Sequence, residues 1–262
     1  MRSRRRAVVL AVVIGAAGLQ STVAAEQGAD SRRSGFAFMS PSTQAMQRDD
    51  TQNPGMLMVG DGEALWRRKA GKTDQACSDC HGATAASMRG VAARLPDFDL
   101  RVGRPVNLAE RINRCRERRQ QAEPFRPESQ ELLSIEAFVA FQSRGIPIAA
   151  ATDARLAPFR ERGEQLFRQR MGQLDLACNQ CHDDSAGKRL GGSVIPQAHP
   201  TGYPIYRLEW QSLGSLQRRL RGCLTGIRAE PFAYGSPELV NLELYLKSRA
   251  AGLPLETPAV RP

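Results

Sequence analysis

The chain has 262 residues, 37 Lys and Arg against 27 Asp and Glu, a formal net charge of +10 and six cysteines. This length fits one or two domains. No nucleic-acid-binding motif accompanies the basic excess, so it reads as a solvated arginine-rich surface or a site for an anionic partner rather than a nucleic-acid interface. Beyond the N-terminus no apolar run nears 18 residues, so no membrane span is expected.

Arg2, Arg4, Arg5 and Arg6 form a basic n-region, Ala7 to Leu19 an apolar run, and Val23 to Ala25 a small-residue cleavage site before Glu26. Residues 1–25 therefore read as a cleaved signal peptide. Ala7 matches a twin-arginine signal poorly, so ordinary export to the periplasm is expected. Cleavage removes four arginines and no acids, taking the charge from +10 to +6. Residues 26–50 read as a polar N-terminal extension, or arm.

The remainder is a duplication. "GEALWRRKAGKTDQACSDCHG" at Gly62 answers "GEQLFRQRMGQLDLACNQCHD" at Gly163, and "ELLSIEAFVAFQSRGIP" at Glu131 answers "ELVNLELYLKSRAAGLP" at Glu238. The copies span 51–150 and 151–262. In each, the Gly-Glu run begins an amphipathic helix that leads to a CxxCH motif. A Gly- and Pro-rich loop, a middle helix and a last helix follow. Leu132, Ile135, Phe138 and Val139 recur at helical spacing in the last helix, as do Leu239, Leu242, Tyr245 and Leu246. "GIP" and "GLP" then stop it.

The motifs "CSDCH" (Cys77 to His81) and "CNQCH" (Cys178 to His182) are attachment signatures of c-type haem. Two thiols on one helical turn add to vinyl groups, and the following histidine takes the iron. A redox CxxC, a zinc site or a disulfide would each use such cysteines. Two complete motifs in a chain with only three histidines favour two covalent haems c. Cys77 and Cys80 hold the first and Cys178 and Cys181 the second, with His81 and His182 as proximal ligands. The expected fold is all-α: two tandem class I cytochrome c-like domains related by the repeat.

The far axial ligand is not an obvious methionine. None follows Met171, and Met88 stands only seven residues after His81. Two isolated cysteines, Cys115 and Cys223, instead hold matching places. Leu108, Ile112 and Cys115 share one helical face, as do Leu216, Leu220 and Cys223. Iron–thiolate bonds at both sites follow, with potentials well below those of Met-ligated haems. A Cys115–Cys223 disulfide and ligation by His199 are the competing readings.

The cysteines differ in their neighbours. Gly222 and Gly226 leave room beside Cys223, and Arg218, Arg219 and Arg221 stand nearby. Arg219 shares the cysteine's face at i−4 and can bind an oxyanion. Nearby arginines would lower the thiol pKa. Arg111 precedes Cys115 by the same four residues, so Arg219 reads either as a substrate ligand or as a partner for a haem propionate. Thiosulfate, sulfite, polysulfide or cyanide-like anions all suit such arginines. The alternatives are an enzyme acting through Cys223, a simple dihaem electron carrier, and a redox or gas sensor for which no output domain is visible.

The paired motifs, the isolated cysteines and "HPTGYPIYRLEWQSLGSLQRRLRGCLTGIRAEPFAYGSPE" resemble the SoxA family of thiosulfate-oxidising SoxAX cytochromes. "SGFAFMSPSTQAMQRDDTQNPGMLMVGDGEALW" is similar as well, so the resemblance covers nearly all of the mature chain. It implies an L-cysteine S-thiosulfotransferase that joins thiosulfate to a cysteine of the carrier SoxYZ. It also implies a SoxX-like monohaem partner in a heterodimer and a c-type cytochrome as acceptor, with electrons passing through haem. It makes Cys223 the active cysteine, able to carry an extra sulfur, Arg219 the substrate ligand and Cys115 a ligand of the first haem.

Overall fold

Small polar caps mark where the helices begin. The computed structural model describes residues 31–83, 85–149 and 151–262, and Arg32–Pro262 form one compact unit. The expected signal peptide lies outside the described residues. α1 (Pro41–Arg48) precedes the repeat. The first copy holds α2 (Gly55–Arg67), α3 (Cys77–His81), α4 (Val91–Arg94), β1 (Asp97–Asp99), β2 (Arg104–Val106), α5 (Leu108–Cys115) and α6 (Gln130–Phe141). The second holds α7 (Ala157–Arg168), α8 (Cys178–His182), β3 (Arg189–Leu190), β4 (Ser193–Val194), β5 (Ile205–Arg207), β6 (Ser212–Gly214), α9 (Leu216–Gly226) and α10 (Pro237–Arg249), and β7 (Ala259–Arg261) follows. Asn107 and Ser215 cap the two middle helices, and Ser129 and Ser236 the two last ones, each accepting from a backbone N–H three residues on.

The all-α expectation needs one correction. β1–β2 and β3–β4 are antiparallel pairs, and β6–β5–β7 is a three-stranded sheet in which β7 runs parallel to β5. Strands of two or three residues are too short to print a period-2 pattern in the sequence.

Two helix crossings organise the repeats. α2 packs on α6 and α7 on α10. Gly62 and Gly163 lie inside α2 and α7 rather than at their starts, because the crossings leave no room for a side chain. A Cβ on Gly62 would stand 2.1 Å from the Ser134 carbonyl oxygen, and one on Gly163 2.1 Å from that of Asn241. Around the crossings Trp66, Phe138, Phe167, Leu242 and Leu246 are buried. Each such side chain contributes about 1.5–3 kcal/mol by burial. The larger core also takes in Leu213, Ala250 and Leu255 from the second copy. The two helix-stopping segments meet as well: Pro147 bridges Pro254, and Ile148 N–H donates to the Leu253 carbonyl at 2.9 Å.

The copies differ in length at two places. The second is longer between its CxxCH motif and its hairpin, where β3 and β4 lie. The first has one extra residue between Cys115 and "AEPF", absorbed by a π-helical turn at Arg116–Gln120. The described part of the extension is no free arm. Gln47 accepts from Val260 N–H at 3.1 Å, which ties it to the second copy, and just beyond it Asn53 Nδ2 donates to the Pro258 carbonyl at 2.8 Å.

Candidate functional site

Each copy encloses one cavity between its CxxCH helix and its middle helix. The first, about 300 Å³, brings Cys77, Cys80 and His81 together with Leu108, Ile112 and Cys115. The second, about 460 Å³, brings His182 together with Leu216, Leu220 and Cys223. All three residues of each expected helical face line the expected cavity. All six cysteines are unpaired, and Cys115 and Cys223 sit in different cavities, so no disulfide joins them.

In each copy the isolated cysteine and the first motif cysteine are electrostatic neighbours, although Cys178 does not line the second cavity. Burial, then the charge of Cys115, pushes the Cys77 thiol up. Burial, then Cys223, pushes Cys178 up to about 11. In each copy the isolated cysteine thus acts electrostatically on the first cysteine of its motif. His182 Nδ1–H donates to the Pro196 carbonyl at 2.6 Å, which leaves Nε2 as the lone-pair nitrogen facing the pocket. Burial first, then Arg219 and Arg249, disfavours its charged form. Trp66 flanks His81 with ring centroids 5.6 Å apart, and its Nε1–H donates to the Gly82 carbonyl at 2.8 Å. Met88 also lines the first cavity. His199 lines the second, and its Nδ1–H donates to the Arg33 carbonyl at 2.7 Å.

The arginines near Cys223 separate by role. Arg219 lines the cavity. Arg218 lies over the Trp210 ring at 4.0 Å. Arg221 donates to the Phe232 carbonyl and stacks on Tyr234 at 4.5 Å. Arg249 pairs with Asp183 at 2.5 Å and lies over Phe167 at 4.6 Å. A Cβ added at Gly222 or Gly226 would meet nothing within 4 Å; both glycines are exposed and neither lines the second cavity.

Other pocket residues escape the sequence reading. Gly35, Met39 and Ser40 of the extension line the second cavity, as do Tyr203 and Arg207 from the hairpin region and Arg261 from β7. The signal of Tyr203 and Arg207 is visible only after the hairpins of the two copies are aligned. A third cavity of about 340 Å³ lies between the copies, with Glu136, Glu243 and Lys247 in its wall.

Residues 61–148 and 162–255 each match the family model of the SoxA/TsdA cytochrome c domain. This chain belongs to that family. It is similar to the L-cysteine S-thiosulfotransferase subunit SoxA of Rhodovulum sulfidophilum, with 38% identity over 88% of this chain and 81% of the relative. The subunit of the same name from Paracoccus pantotrophus is 33% identical over 88% of this chain and 80% of its own length. The crystal structure of SoxXA from P. pantotrophus superposes with a TM-score of 0.85, covering 88% of this chain and 87% of that one. A SoxA cytochrome c domain implies haem c. The residues here fit it: paired thiols, an adjacent imidazole and an apolar wall of Trp66, Leu108, Ile112 and Val139 surround the first cavity. Among the described residues, no helix is long and apolar enough to cross a membrane.

Proposed function

We propose that this chain is a periplasmic dihaem SoxA subunit, an L-cysteine S-thiosulfotransferase that couples thiosulfate oxidatively to a cysteine of a SoxYZ-type carrier. A SoxX-like monohaem cytochrome completes the heterodimer, and a c-type cytochrome accepts the electrons. The arrangement of Cys223 and Arg219 in one roomy cavity with His182 carries this reading. The match to SoxXA supports the partner.

Cys77 and Cys80 would hold one haem and Cys178 and Cys181 the other. His81 with Cys115, and His182 with Cys223, would ligate the two irons. Bound haem supplies one-electron redox chemistry at the pocket. Arg219 binds the sulfonate oxygens of thiosulfate, which directs the terminal sulfur toward Cys223. The Cys223 thiolate and that sulfur form an S–S bond, releasing two electrons to two equivalents of ferric c-type cytochrome. The carrier thiolate then attacks the sulfur bonded to Cys223, takes the S–SO₃ group and regenerates the Cys223 thiolate. Overall, one carrier thiol and one thiosulfate give one S-thiosulfonate, two electrons and one proton.

The test is the non-reduced mass of the Cys223 peptide from the holo-protein. It is measured as purified, after thiosulfate with ferric cytochrome c, and after a carrier thiol. An adduct that the thiol removes is expected. A Cys223 that stays unmodified through turnover makes the chain an electron carrier instead.

A further inference from the structure

The two copies build their pockets on the same frame, and one pair of equivalent residues has opposite charge. In the first hairpin Asp97 pairs with Val106 and Asp99 with Arg104. In the second, Ile205 pairs with Gly214 and Arg207 with Ser212. Every member lies 108 positions beyond its counterpart, as Arg219 lies beyond Arg111 and Cys223 beyond Cys115. Asp99 is therefore matched by Arg207, and Leu95 by Tyr203.

In the first copy the arginine four residues before the cysteine is neutralised in place. Arg111 Nη1 donates to Asp99 Oδ2 at 2.9 Å, and Arg114 Nε stands 3.9 Å from the same oxygen. In the second copy that carboxylate is replaced by a guanidinium. No described carboxylate pairs with Arg219, and Arg207, 7% exposed, lines its cavity. Burial first and Arg219 next disfavour the charge on Arg207, while Glu209, Tyr203 and then Cys223 favour it. The Arg207 guanidinium is fixed rather than mobile. Its Nε donates to the Pro262 carbonyl at 2.8 Å, its Nη2 meets Glu209 at 2.9 Å, and it lies over Trp210 at 5.0 Å. Tyr203 adds a phenol that interacts with Arg219, Cys223, Arg261 and Arg207. Burial, the first cause, pushes this phenol further above its ordinary value of 10, so it is a donor at neutral pH. The buried Arg207 and the half-buried Arg219 face one cavity without a shared carboxylate, Glu209 meeting Arg207 alone, and an anion between them relieves their repulsion.

We propose that Arg207 is a second substrate-binding residue, forming with Arg219 a two-arginine clamp for the oxyanion end of the substrate, with the Tyr203 hydroxyl as a third donor. This rests on the Cys223 reading above and specifies how its substrate is chosen: a dianion with a tetrahedral oxygen-bearing end fits between the guanidinium groups. The Asp99 to Arg207 difference separates a pocket whose arginine is already neutralised from one built to receive an anion.

The holo-protein should be titrated with thiosulfate while the absorption and electron-paramagnetic resonance of the second haem are followed, with sulfate as a competitor. Turnover with carrier and ferric cytochrome c supplies KM and kcat. Arg207→Gln should weaken thiosulfate binding and raise KM on the order of 10- to 100-fold, the range of a lost charge-assisted hydrogen bond, with a smaller change in kcat. Arg207→Asp restores the first copy's ion pair opposite Arg219 and should abolish binding. Arg207→Lys and Tyr203→Phe keep the charge or the ring and should lose several-fold, so they serve where the harsher variants fold poorly. A wild-type protein whose spectra thiosulfate leaves unchanged and whose Cys223 is never modified overturns the clamp together with the function. Wild-type binding with Arg207→Gln unchanged in affinity, even if less stable, overturns the clamp alone and makes Arg207 a tether for β7.

Discussion

Glu136 and Glu243 occupy equivalent places on the last helices of the two copies and face one buried cavity, yet only Glu243 is satisfied. It accepts from Asn107 Nδ2 at 3.0 Å and Gln217 Nε2 at 2.6 Å. Glu136 Oε2 has no hydrogen-bond partner. Lys247, in the same cavity wall, interacts with both. Burial, then the charges of Glu243 and Glu128, pushes Glu136 up to about 8, and burial pushes Glu243 up to about 7. The donors around Glu243 assign it the ionised form, so Glu136 is the protonated member of the pair.

This gives stability a pH dependence of known sign. The native state keeps the Glu136 proton up to about pH 8, whereas the unfolded chain loses it near 4.5. Between these values the native state binds more protons, so stability falls as pH rises. Glu136→Gln has no proton to lose. It should match wild type near pH 4.5 and exceed it by roughly 1–3 kcal/mol at pH 8. Denaturant unfolding of the holo-protein at both pH values measures this, and a constant difference between them counts against a protonated Glu136.

The parts of the site that repeat were legible in the sequence, and the parts that break the repeat were not. Cys115 and Cys223 could be placed on pocket-facing stripes because helical spacing transmits directly into geometry. Arg219 could be found but not resolved from Arg111, since both stand at i−4. What separates them is Asp99 against Arg207, and those residues lie beyond a stretch that is longer in the second copy, where alignment by eye loses register. Where the extension docks was not legible, because its contacts are to β7, more than 200 residues away. Met88 was set aside on chain distance, although the loop after His81 returns it to the cavity wall.

The helix crossings predict a large cost for the smallest side chain. At Gly62 and Gly163 an added Cβ collides with backbone of the facing helix, which cannot swing aside as a side-chain tip can. Gly62→Ala and Gly163→Ala should each destabilise by about 1–3 kcal/mol or more, although alanine is the better helix former. Gly60, which has nothing within 4 Å of an added Cβ, is the control: Gly60→Ala on the same helix should be neutral or stabilising. Thermal unfolding of the three variants decides, and a neutral Gly163→Ala would mean that α7 and α10 are not in this contact.

Asp99 neutralises Arg111 in the wall of the first pocket, and its removal should be felt most at neutral pH. Its carboxyl is held below the usual range by the Arg101 backbone N–H first, and after the opposing effect of desolvation by the charges of Arg111 and Arg114. A depressed carboxylate contributes stability that is present above its unfolded value of 3.8 and is lost as pH falls through the lower folded value. Asp99→Asn keeps the side-chain oxygen that accepts from Arg101 at 2.8 Å but loses both ion pairs. It should cost roughly 1 kcal/mol at pH 7, with the difference from wild type shrinking as pH falls through the lowered folded value and the wild-type carboxyl also becomes neutral. The same variant frees the Arg111 guanidinium beside Cys115, so the spectrum of the first haem should become sensitive to added anions, as that of the second is expected to be through Arg219. A pH-independent cost with no anion response would place the role of Asp99 in the hairpin turn rather than in its charge.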